Sequence, residues 1–194
     1  MRIRLGLRLT CLMLLTTAPE VAQDYGASGD VPYAPTPPEV IDAMMELGRV
    51  DSTDLVYDLG CGDGRLVIAA ARDRGARCVG YDINPERIEE ATANAKDAGV
   101  QDRVRFVEGN LFDADIGEAT VVVLYLLTSV NLELRPKLWQ DLKPGTRVVS
   151  HLFGMGDWEP DKEEHIRGRR VFVLTIPEDA AERAKAEAEL SAAQ

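Results

Sequence analysis

Residues 56–65 read VYDLGCGDGR, an apolar run that ends in an acidic residue and continues into three glycines at alternate positions. A buried strand fits the apolar part, and a helix is expected to begin at Arg65. Glycines in such a bend permit a tight turn and let a ligand approach the backbone closely. The N–H groups at the start of the helix add hydrogen-bond donors. The stretch therefore predicts a strand, a ligand-binding loop and a helix.

Asp82 lies 18 residues beyond Gly64, within a second predicted strand over residues 78–83. An acidic residue there can accept hydrogen bonds from the two ribose hydroxyls of a nucleoside. Dinucleotide enzymes carry G-x-G-x-x-G, whereas this chain carries D-x-G-x-G-x-G, with Asp58 ahead of the glycines. A carboxylate aimed at the loop would repel a pyrophosphate and attract an ammonium group. The pattern favours a nucleoside with a cationic amino acid end, and S-adenosylmethionine (SAM) fits that description.

Strand and helix patterns alternate along the rest of the chain. Thr36 and Glu39 are placed to form a capping box before a first helix, and Asn84 can cap a helix after the second strand. A helix over residues 129–142 is expected to be interrupted by Pro136. The other predicted strands lie at residues 104–108, 120–127, 147–152, 158–166 and 169–176, the last two as an antiparallel hairpin. Repeated strand–helix units predict an α/β fold with a mostly parallel sheet and helices on both faces.

The ends of the chain differ from this core. Residues 1–22 combine a basic start with an apolar run at residues 9–18, which is too short to span a bilayer and is typical of a signal peptide or a membrane tether. Residues 23–35 contain glycines and prolines that predict a linker, so the domain covers residues 36–177. Residues 178–194, rich in alanine and glutamate, predict a solvated helix or tail. We expect a membrane-associated or exported protein, with a cytoplasmic location as the alternative.

The composition excludes several classes of protein. Of the 194 residues, 45% are hydrophobic and 28% are charged, a balance that excludes a disordered chain and a polytopic membrane protein. The formal charge is −11, so a nucleic acid is not expected as a partner and a cationic partner is favoured. The few cysteines and histidines have no ligand spacing and predict neither a metal site nor a disulfide framework. We expect a monomer.

The DLGCGDG stretch at residues 58–64, together with Asp82, resembles the class I SAM-dependent methyltransferases over residues 32–176. The resemblance implies a Rossmann-like, seven-stranded sheet with SAM as the cofactor. It also implies that Asp58 and the loop backbone hold the methionine moiety, that Asp82 holds the ribose, and that residues 107–112 (VEGNLF) lie beside the adenine. The residues that would bind the cofactor are Asp58, Gly60, Cys61, Gly62, Gly64, Asp82, Ile83, Asn110 and Leu111.

A narrower resemblance rests on PYAPTP at residues 32–37 and DLGCGDGRLVIAAA at residues 58–71. Both are similar to the protein-lysine methyltransferases that act on the c-ring subunit of ATP synthase and on the adenine nucleotide translocase. This resemblance implies methyl transfer to a nucleophilic amine, with an accessible protein lysine as the acceptor. The lack of an N-P-P-Y sequence at residues 124–128 argues against a base-amino or glutamine methyltransferase. Two alternatives stay open: a small-molecule O- or N-methyltransferase, and a non-catalytic SAM-binding protein at a membrane.

Two tyrosines are candidates for the channel of methyl transfer. Tyr33 could close over the cofactor, or it could be a linker aromatic at the surface. Tyr125 lies where many methyltransferases place residues that contact the acceptor, or it could simply fill the sheet. His151 ends a predicted strand near the site, and a core histidine is the default interpretation. We predict no catalytic base, because burial beside a sulfonium would lower the pKa of an acceptor lysine from its free value of about 10.4.

Overall fold

The computed structural model describes residues 34–192 of the chain. The signal-like segment, most of the linker and Tyr33 lie outside the described residues, so the expectations for them stay predictions. None of the helices formed by residues 34–192 combines the length and the apolar character that crossing a bilayer requires.

The described residues form seven strands and five α-helices. The strands are β1 Leu55–Leu59, β2 Arg77–Asp82, β3 Val104–Glu108, β4 Val121–Leu124, β5 Arg147–His151, β6 Lys162–Ile166 and β7 Arg169–Thr175. The helices are α1 Pro38–Leu47, α2 Arg65–Arg74, α3 Pro85–Asp97, α4 Thr128–Asp141 and α5 Ala180–Ala192. A single turn of 3₁₀-helix, Leu111–Asp113, follows β3. Strand β3 begins and ends where the sequence pattern predicts, and α2 begins at Arg65 as expected.

The described strands belong to one sheet in the order β3-β2-β1-β4-β5-β7-β6. The first five strands pair in parallel, whereas β7 runs antiparallel to both β5 and β6. The predicted fold class, a mostly parallel sheet with a C-terminal antiparallel hairpin, is confirmed. The strand order reverses at β1, which has β2 on one side and β4 on the other. Sheets of this kind bind ligands in the crevice beyond the carboxyl ends of the strands at that point.

Helices cover each face of the sheet because its central strands are apolar on both sides. Every residue of β4 is fully buried. On one face α1 and α2 pack through side chains such as Met44 and Val67. On the other face α4 and α5 pack through side chains such as Leu138 and Ala184. Since both faces are covered, we expect the ligand-binding residues at the ends of the strands.

The start of α1 differs from the predicted capping box. The helix begins at Pro38, and no side chain of the described residues caps it. Thr36 is buried, and its Oγ1 lies 3.3 Å from Nδ1 of His151. Glu39 Oε1 lies 3.6 Å from Nε of Arg167. The capping prediction was wrong because a tertiary contact with β5 takes the threonine hydroxyl away from the end of the helix.

Two boundaries in the middle of the chain also differ from prediction. The strand predicted over residues 120–127 is limited to β4, because the residues after Leu124 leave the ladder and lead into α4. The interruption predicted at Pro136 does not occur, and α4 continues through this residue. Leu134 and Leu138, on either side of the proline, are fully buried in the core. Their packing outweighs the one backbone hydrogen bond that a proline removes.

The C-terminal segment forms helix α5, one of the two predicted forms, and most of the residues at positions 180–190 are exposed. Helix α5 packs against α4, with Ala180 and Ala184 buried. The Arg135 guanidinium of α4 pairs with the carboxylate of Glu187 at 2.5 Å and lies 5.0 Å from the ring centroid of Trp139. Small alanine side chains allow close approach of the two helices, so α5 docks without the broad apolar stripe that its sequence lacks.

Candidate active site

The loop between β1 and α2 is built on glycines in the left-handed region. Gly60, Gly62 and Gly64 have φ angles of 93°, 53° and 78°, values that L side chains rarely adopt. The N–H groups of Gly60 and Cys61 both donate to the carbonyl oxygen of Tyr81, each at 2.8 Å. The loop therefore folds back onto the end of β2 in the tight turn that the glycine spacing predicts.

The carboxylate of Asp82 ties the glycine loop to α3. Its Oδ2 accepts from the N–H of Gly62 at 2.8 Å, and its Oδ1 accepts from the N–H of Asn84 at 2.9 Å. Asn84 in turn caps α3 as predicted, by accepting from the N–H of Glu86 at 2.8 Å. Each carboxylate oxygen has two lone pairs. Asp82 therefore keeps acceptor capacity for the ribose hydroxyls of a nucleoside.

Asp58 is buried at the end of β1 with an unsatisfied acceptor. The residue is 1% exposed, and its Oδ2 has no hydrogen-bond partner among the described residues. Desolvation, together with the nearby carboxylates of Asp82 and Asp63, raises the pKa of Asp58 to about 8. A buried carboxyl without a partner is costly, and the ammonium of a ligand would supply both the donor and the charge. Asp58 thus fits the amino acid end of the predicted cofactor.

Two of the loop glycines are required by close packing as well as by their backbone conformation. A Cβ atom on Gly64 would lie 2.7 Å from the Phe106 ring and 3.0 Å from Cβ of Ala91. A Cβ atom on Gly60 would lie 3.2 Å from the side chain of Leu126. Strand β3 and the residues after β4 therefore pack directly against the loop, and its backbone stays narrow enough for close approach by a ligand.

Ile83 follows Asp82 and is placed to contact the base of a nucleoside. Its side chain is apolar, yet the residue is 52% exposed. An adenine ring packed on this side chain would remove apolar surface from water, which is favourable. The exposure of Ile83 is therefore consistent with the predicted adenine contact.

The other predicted adenine-binding residues follow β3 and lie beside Asp82. The N–H of Gly109 donates to the carbonyl oxygen of Asp82 at 2.9 Å, which holds Asn110 and Leu111 near the end of β2. Oδ1 of Asn110 accepts from the N–H of Phe112 at 3.0 Å, so this oxygen caps the 3₁₀ turn. A hydrogen bond from an adenine amino group would use the second lone pair of the same oxygen.

Cys61 acts as a small spacer in the loop. The residue is buried, and desolvation together with the carboxylates of Asp58 and Asp82 raises the pKa of its thiol. Its Cβ and Sγ lie 2.9 Å from where a Cβ atom on Gly80 would be. A raised pKa keeps the thiol protonated and unreactive, in agreement with the interpretation of Cys61 as a spacer and not a nucleophile.

Tyr125 lies where β4 ends, beside the end of β5. The parallel register of the two strands makes Tyr125 and His151 neighbours, and their ring centroids are 3.9 Å apart. Tyr125 also stacks on Phe153 at 6.2 Å. Tyr125 is half-buried, whereas His151 is fully buried. Tyr125 therefore lies, partly exposed, where the carboxyl ends of β4 and β5 meet.

A set of contacts around Thr36 was not predicted from the sequence. The carbonyl oxygen of Thr36 accepts from Nη1 of Arg65 at 3.2 Å, and Arg65 pairs with Asp63 in the glycine loop at 2.6 Å. The side chain of Thr36 meanwhile contacts His151. Thr36 is 29 residues from Arg65 and 115 residues from His151, and no spacing in the sequence indicates that they meet.

The arrangement as a whole suits a cationic nucleoside. Asp58 offers a carboxyl for an ammonium group, Asp82 offers acceptors for ribose hydroxyls, and Ile83 offers an apolar surface for a base. Within residues 34–192, histidine, cysteine and acidic side chains form no group of three that could hold a metal ion. The residues present therefore fit SAM as the ligand of this crevice.

Asp82→Ala should weaken SAM binding by about 1–3 kcal/mol, because the groups that bond to this carboxylate would lose their acceptor. Isothermal titration calorimetry with SAM measures the loss. Asp102→Ala, at an exposed position before β3, is the matched control for removal of one carboxylate. Equal affinities of the two variants would contradict the assignment of the ribose contact to Asp82.

Comparison with known proteins identifies relatives of this chain. The sequence model of the ANTKMT methyltransferase domain matches residues 58–162. A protein-lysine N-methyltransferase of Saccharolobus islandicus (strain REY15A) is 55% identical over 153 residues, which cover 76% of this chain and 95% of that protein. The adenine nucleotide translocase lysine N-methyltransferase of Mus musculus is 32% identical over 67% of this chain. The match covers 56% of the mouse protein, so this chain spans less than two thirds of that relative.

A solved structure supports the same conclusion. A protein of Salinibacter ruber, described as an RNA methyltransferase in complex with S-adenosyl-L-homocysteine, is 58% identical with a TM-score of 0.74. The alignment covers 75% of this chain and 95% of that one. S-adenosyl-L-homocysteine is what SAM becomes when it loses its methyl group. The chain belongs to the family of the ANTKMT methyltransferase domain and is a SAM-dependent methyltransferase.

Proposed function

We propose that this methyltransferase transfers a methyl group to the side-chain amine of a protein lysine. The observation that carries the proposal is the 55% identity to a protein-lysine N-methyltransferase over 95% of that protein. The net charge of −11 supports it, because a negative surface attracts basic segments of other proteins. The same charge would repel the phosphate backbone of RNA, the acceptor class that the description of the Salinibacter protein names.

The residues of the chain bind and align the two reactants. Asp58 would pair with the ammonium of the cofactor, Asp82 would hold the ribose, and the glycine loop would contact the amino acid part. When bound, SAM supplies an electrophilic methyl group on a positively charged sulfur. The contribution of the protein is to hold the acceptor amine in line with that group and to exclude water from the crevice.

An acceptor lysine must lose its proton before it attacks. The pKa of a lysine in water is about 10.4, and burial in an apolar crevice beside a positive charge lowers it. Asp63 pairs with Arg65, and Asp82 accepts from backbone N–H groups. Burial, with a smaller effect of Arg169, lowers the pKa of His151 to about 4. We therefore assign no catalytic base and attribute the loss of the proton to the environment of the amine.

Poly-L-lysine should accept labelled methyl groups from SAM in the presence of this chain, whereas poly-L-arginine of equal length should not. Both polymers are cationic, so the pair separates recognition of the amine from attraction of charge. Mass spectrometry of the hydrolysed polymer identifies Nε-methylated lysine. Asp82→Ala should reduce the label at low SAM concentration, and Asp102→Ala should not.

Other outcomes of the same experiment would contradict the proposal. Label found in added RNA and not in poly-L-lysine would assign the acceptor to nucleic acid. Label found in small molecules of a cell extract would support an O- or N-methyltransferase of metabolites. Binding of SAM by calorimetry without transfer to any of these acceptors would indicate a non-catalytic SAM-binding protein.

We also propose that residues 1–22 direct the protein to a membrane or through it. The basic start and the apolar run at residues 9–18 support this proposal. Sequencing of the mature N-terminus and fractionation of the cell test it. An intact N-terminus in the soluble cytoplasmic fraction would contradict it.

A further inference from the structure

Thr36 connects the acceptor side of the site to the cofactor loop. Its Oγ1 lies 3.3 Å from Nδ1 of His151 at the end of β5. Its carbonyl oxygen accepts from Arg65 at 3.2 Å, and Arg65 pairs with Asp63 of the glycine loop. The segment that leads into α1 is therefore held from two directions, by its side chain and by its backbone.

His151 buries two polar ring nitrogens. It is completely buried, and its Nε2 has no hydrogen-bond partner within residues 34–192. An apolar ring in this position would avoid the cost of burying that nitrogen. Burial lowers the pKa of His151 to about 4, with a smaller contribution from Arg169, so the ring is neutral near pH 7. The contact of its Nδ1 with Thr36 joins two segments of the site.

The turn after His151 is strained and firmly held. Leu152 has a φ angle of 68°, which is unfavourable for a branched side chain. The N–H of Leu152 donates to the carbonyl oxygen of Arg170 at 2.7 Å, and the N–H of Phe153 donates to that of His151 at 2.8 Å. Non-glycine residues persist in this conformation where the surrounding structure determines it, and such positions are frequent at functional sites.

Tyr125 and the residue after it link His151 to the glycine loop. Its ring lies against His151, and the next residue, Leu126, packs beside Gly60 in the loop. Tyr125 is half-buried, and its ring lies tilted by 37° against that of the fully buried histidine. A shift of the His151 ring would therefore move Tyr125 and would release Thr36 at the same time.

We propose that His151 is a positioning residue for methyl transfer: its ring sets the plane of Tyr125 and holds Thr36, so that the end of β4 and the segment before α1 form one fixed wall of the acceptor site. The inference rests on the proposed function for the identity of the acceptor. His151 acts through its two neighbours and does not itself contact the reacting atoms.

Thr36→Val tests this role, because valine has the shape of threonine without the hydroxyl. With poly-L-lysine as the acceptor, kcat should fall about tenfold, since small misplacements of reactants cost one to two orders of magnitude in rate. The Kd for SAM and the midpoint of thermal unfolding should stay close to wild type. Thr36→Ser, which keeps the hydroxyl, should restore kcat.

His151→Phe keeps a ring against Tyr125 and removes the bond to Thr36. Alone it should lower kcat as Thr36→Val does. The kcat of the double variant should be no lower than that of either single variant, because both changes break the same contact between Thr36 and His151. Additive losses, or an unchanged kcat in Thr36→Val, would overturn the inference. Equal losses of stability, SAM affinity and kcat would show a purely structural role and would also overturn it.

Hydrogen exchange separates this inference from the proposed function, because it needs no acceptor. With S-adenosyl-L-homocysteine present, Thr36→Val should accelerate exchange in the first turn of α1 and in residues 124–128, and Thr36→Ser should not. If the wild type transfers no methyl group to poly-L-lysine, the proposed function fails and this measurement alone decides the inference. Unchanged exchange in Thr36→Val would overturn it.

Discussion

Asp58→Asn should weaken SAM binding more than roughly 100-fold at pH 8, because a buried ion pair that loses one charge costs about 3–5 kcal/mol. In the wild type, Oδ2 of Asp58 is buried without a partner among the described residues and can receive a ligand ammonium. Asparagine has nearly the same shape but no charge. The variant therefore keeps the packing of the site and loses its attraction for the cofactor.

The stability of the ligand-free wild type should depend on pH through the same carboxyl. Burial raises the pKa of Asp58 to about 8 in the folded protein, against about 3.9 in an unfolded chain. Between these values the folded state binds more protons than the unfolded state, so the free energy of unfolding falls as the pH rises from about 4 to about 8. Asp58→Asn lacks this contribution and should be the more stable protein at pH 8 in urea unfolding.

SAM affinity should follow the opposite trend, because the ligand ammonium pairs with the ionised form of Asp58. The affinity should rise by up to about tenfold per pH unit as the pH approaches 8, with release of one proton on binding at lower pH. Calorimetric titrations in two buffers of different ionisation enthalpy count that proton. Asp102→Asn, the matched charge change at the surface, should behave as the wild type does. Equal proton release by Asp58→Asn would contradict this assignment.

Gly64→Ala should lower the free energy of unfolding by roughly 2–5 kcal/mol, from about 1–2 kcal/mol of left-handed strain and about 1–3 kcal/mol of overpacking. The φ angle of Gly64 is 78°, and an added Cβ would lie 2.7 Å from the ring of Phe106. Urea denaturation measures the loss. Because the same loop would hold the cofactor, calorimetry should show weaker SAM binding as well.

Gly99→Ala is the matched control for the backbone contribution. Gly99 has a φ angle of 69°, and none of the described residues comes within 4 Å of its added Cβ. This variant should lose only about 1–2 kcal/mol, the cost of the left-handed conformation. Phe106→Leu should recover part of the stability of Gly64→Ala by removing ring atoms. Equal losses in Gly64→Ala and Gly99→Ala would contradict the predicted contact with Phe106.

The glycine loop could be predicted from the sequence because its signals are local. Within ten residues, VYDLGCGDGR contains an apolar strand, glycines that tolerate positive φ angles and a helix start. Each of these acts through neighbouring residues in the chain, so the pattern predicts both the bend and the position of Asp58. The place of Asp82 followed from the strand–helix–strand unit, which brings the ends of parallel strands to one edge of a sheet.

Where the prediction failed, a distant part of the molecule had decided the outcome. The sequence pattern predicts that the hydroxyl of Thr36 caps the start of a helix. In the structure its partner is His151, which is 115 residues away. Local rules also interrupt α4 at Pro136, whereas burial of the residues around it keeps the helix continuous.

The sequence by itself thus determined the fold class and the loop suited to the cofactor, since these follow from periodicity and from residue types at fixed spacing. Its resemblance to known methyltransferases indicated the family. Only the tertiary structure decided that Asp58 has an unpaired oxygen within the described part of the chain, and that Thr36, Tyr125 and His151 meet beside the loop. The physical reason is that a buried polar group is satisfied by whichever group packing brings to it. That partner can lie anywhere in the chain, and no local pattern specifies it.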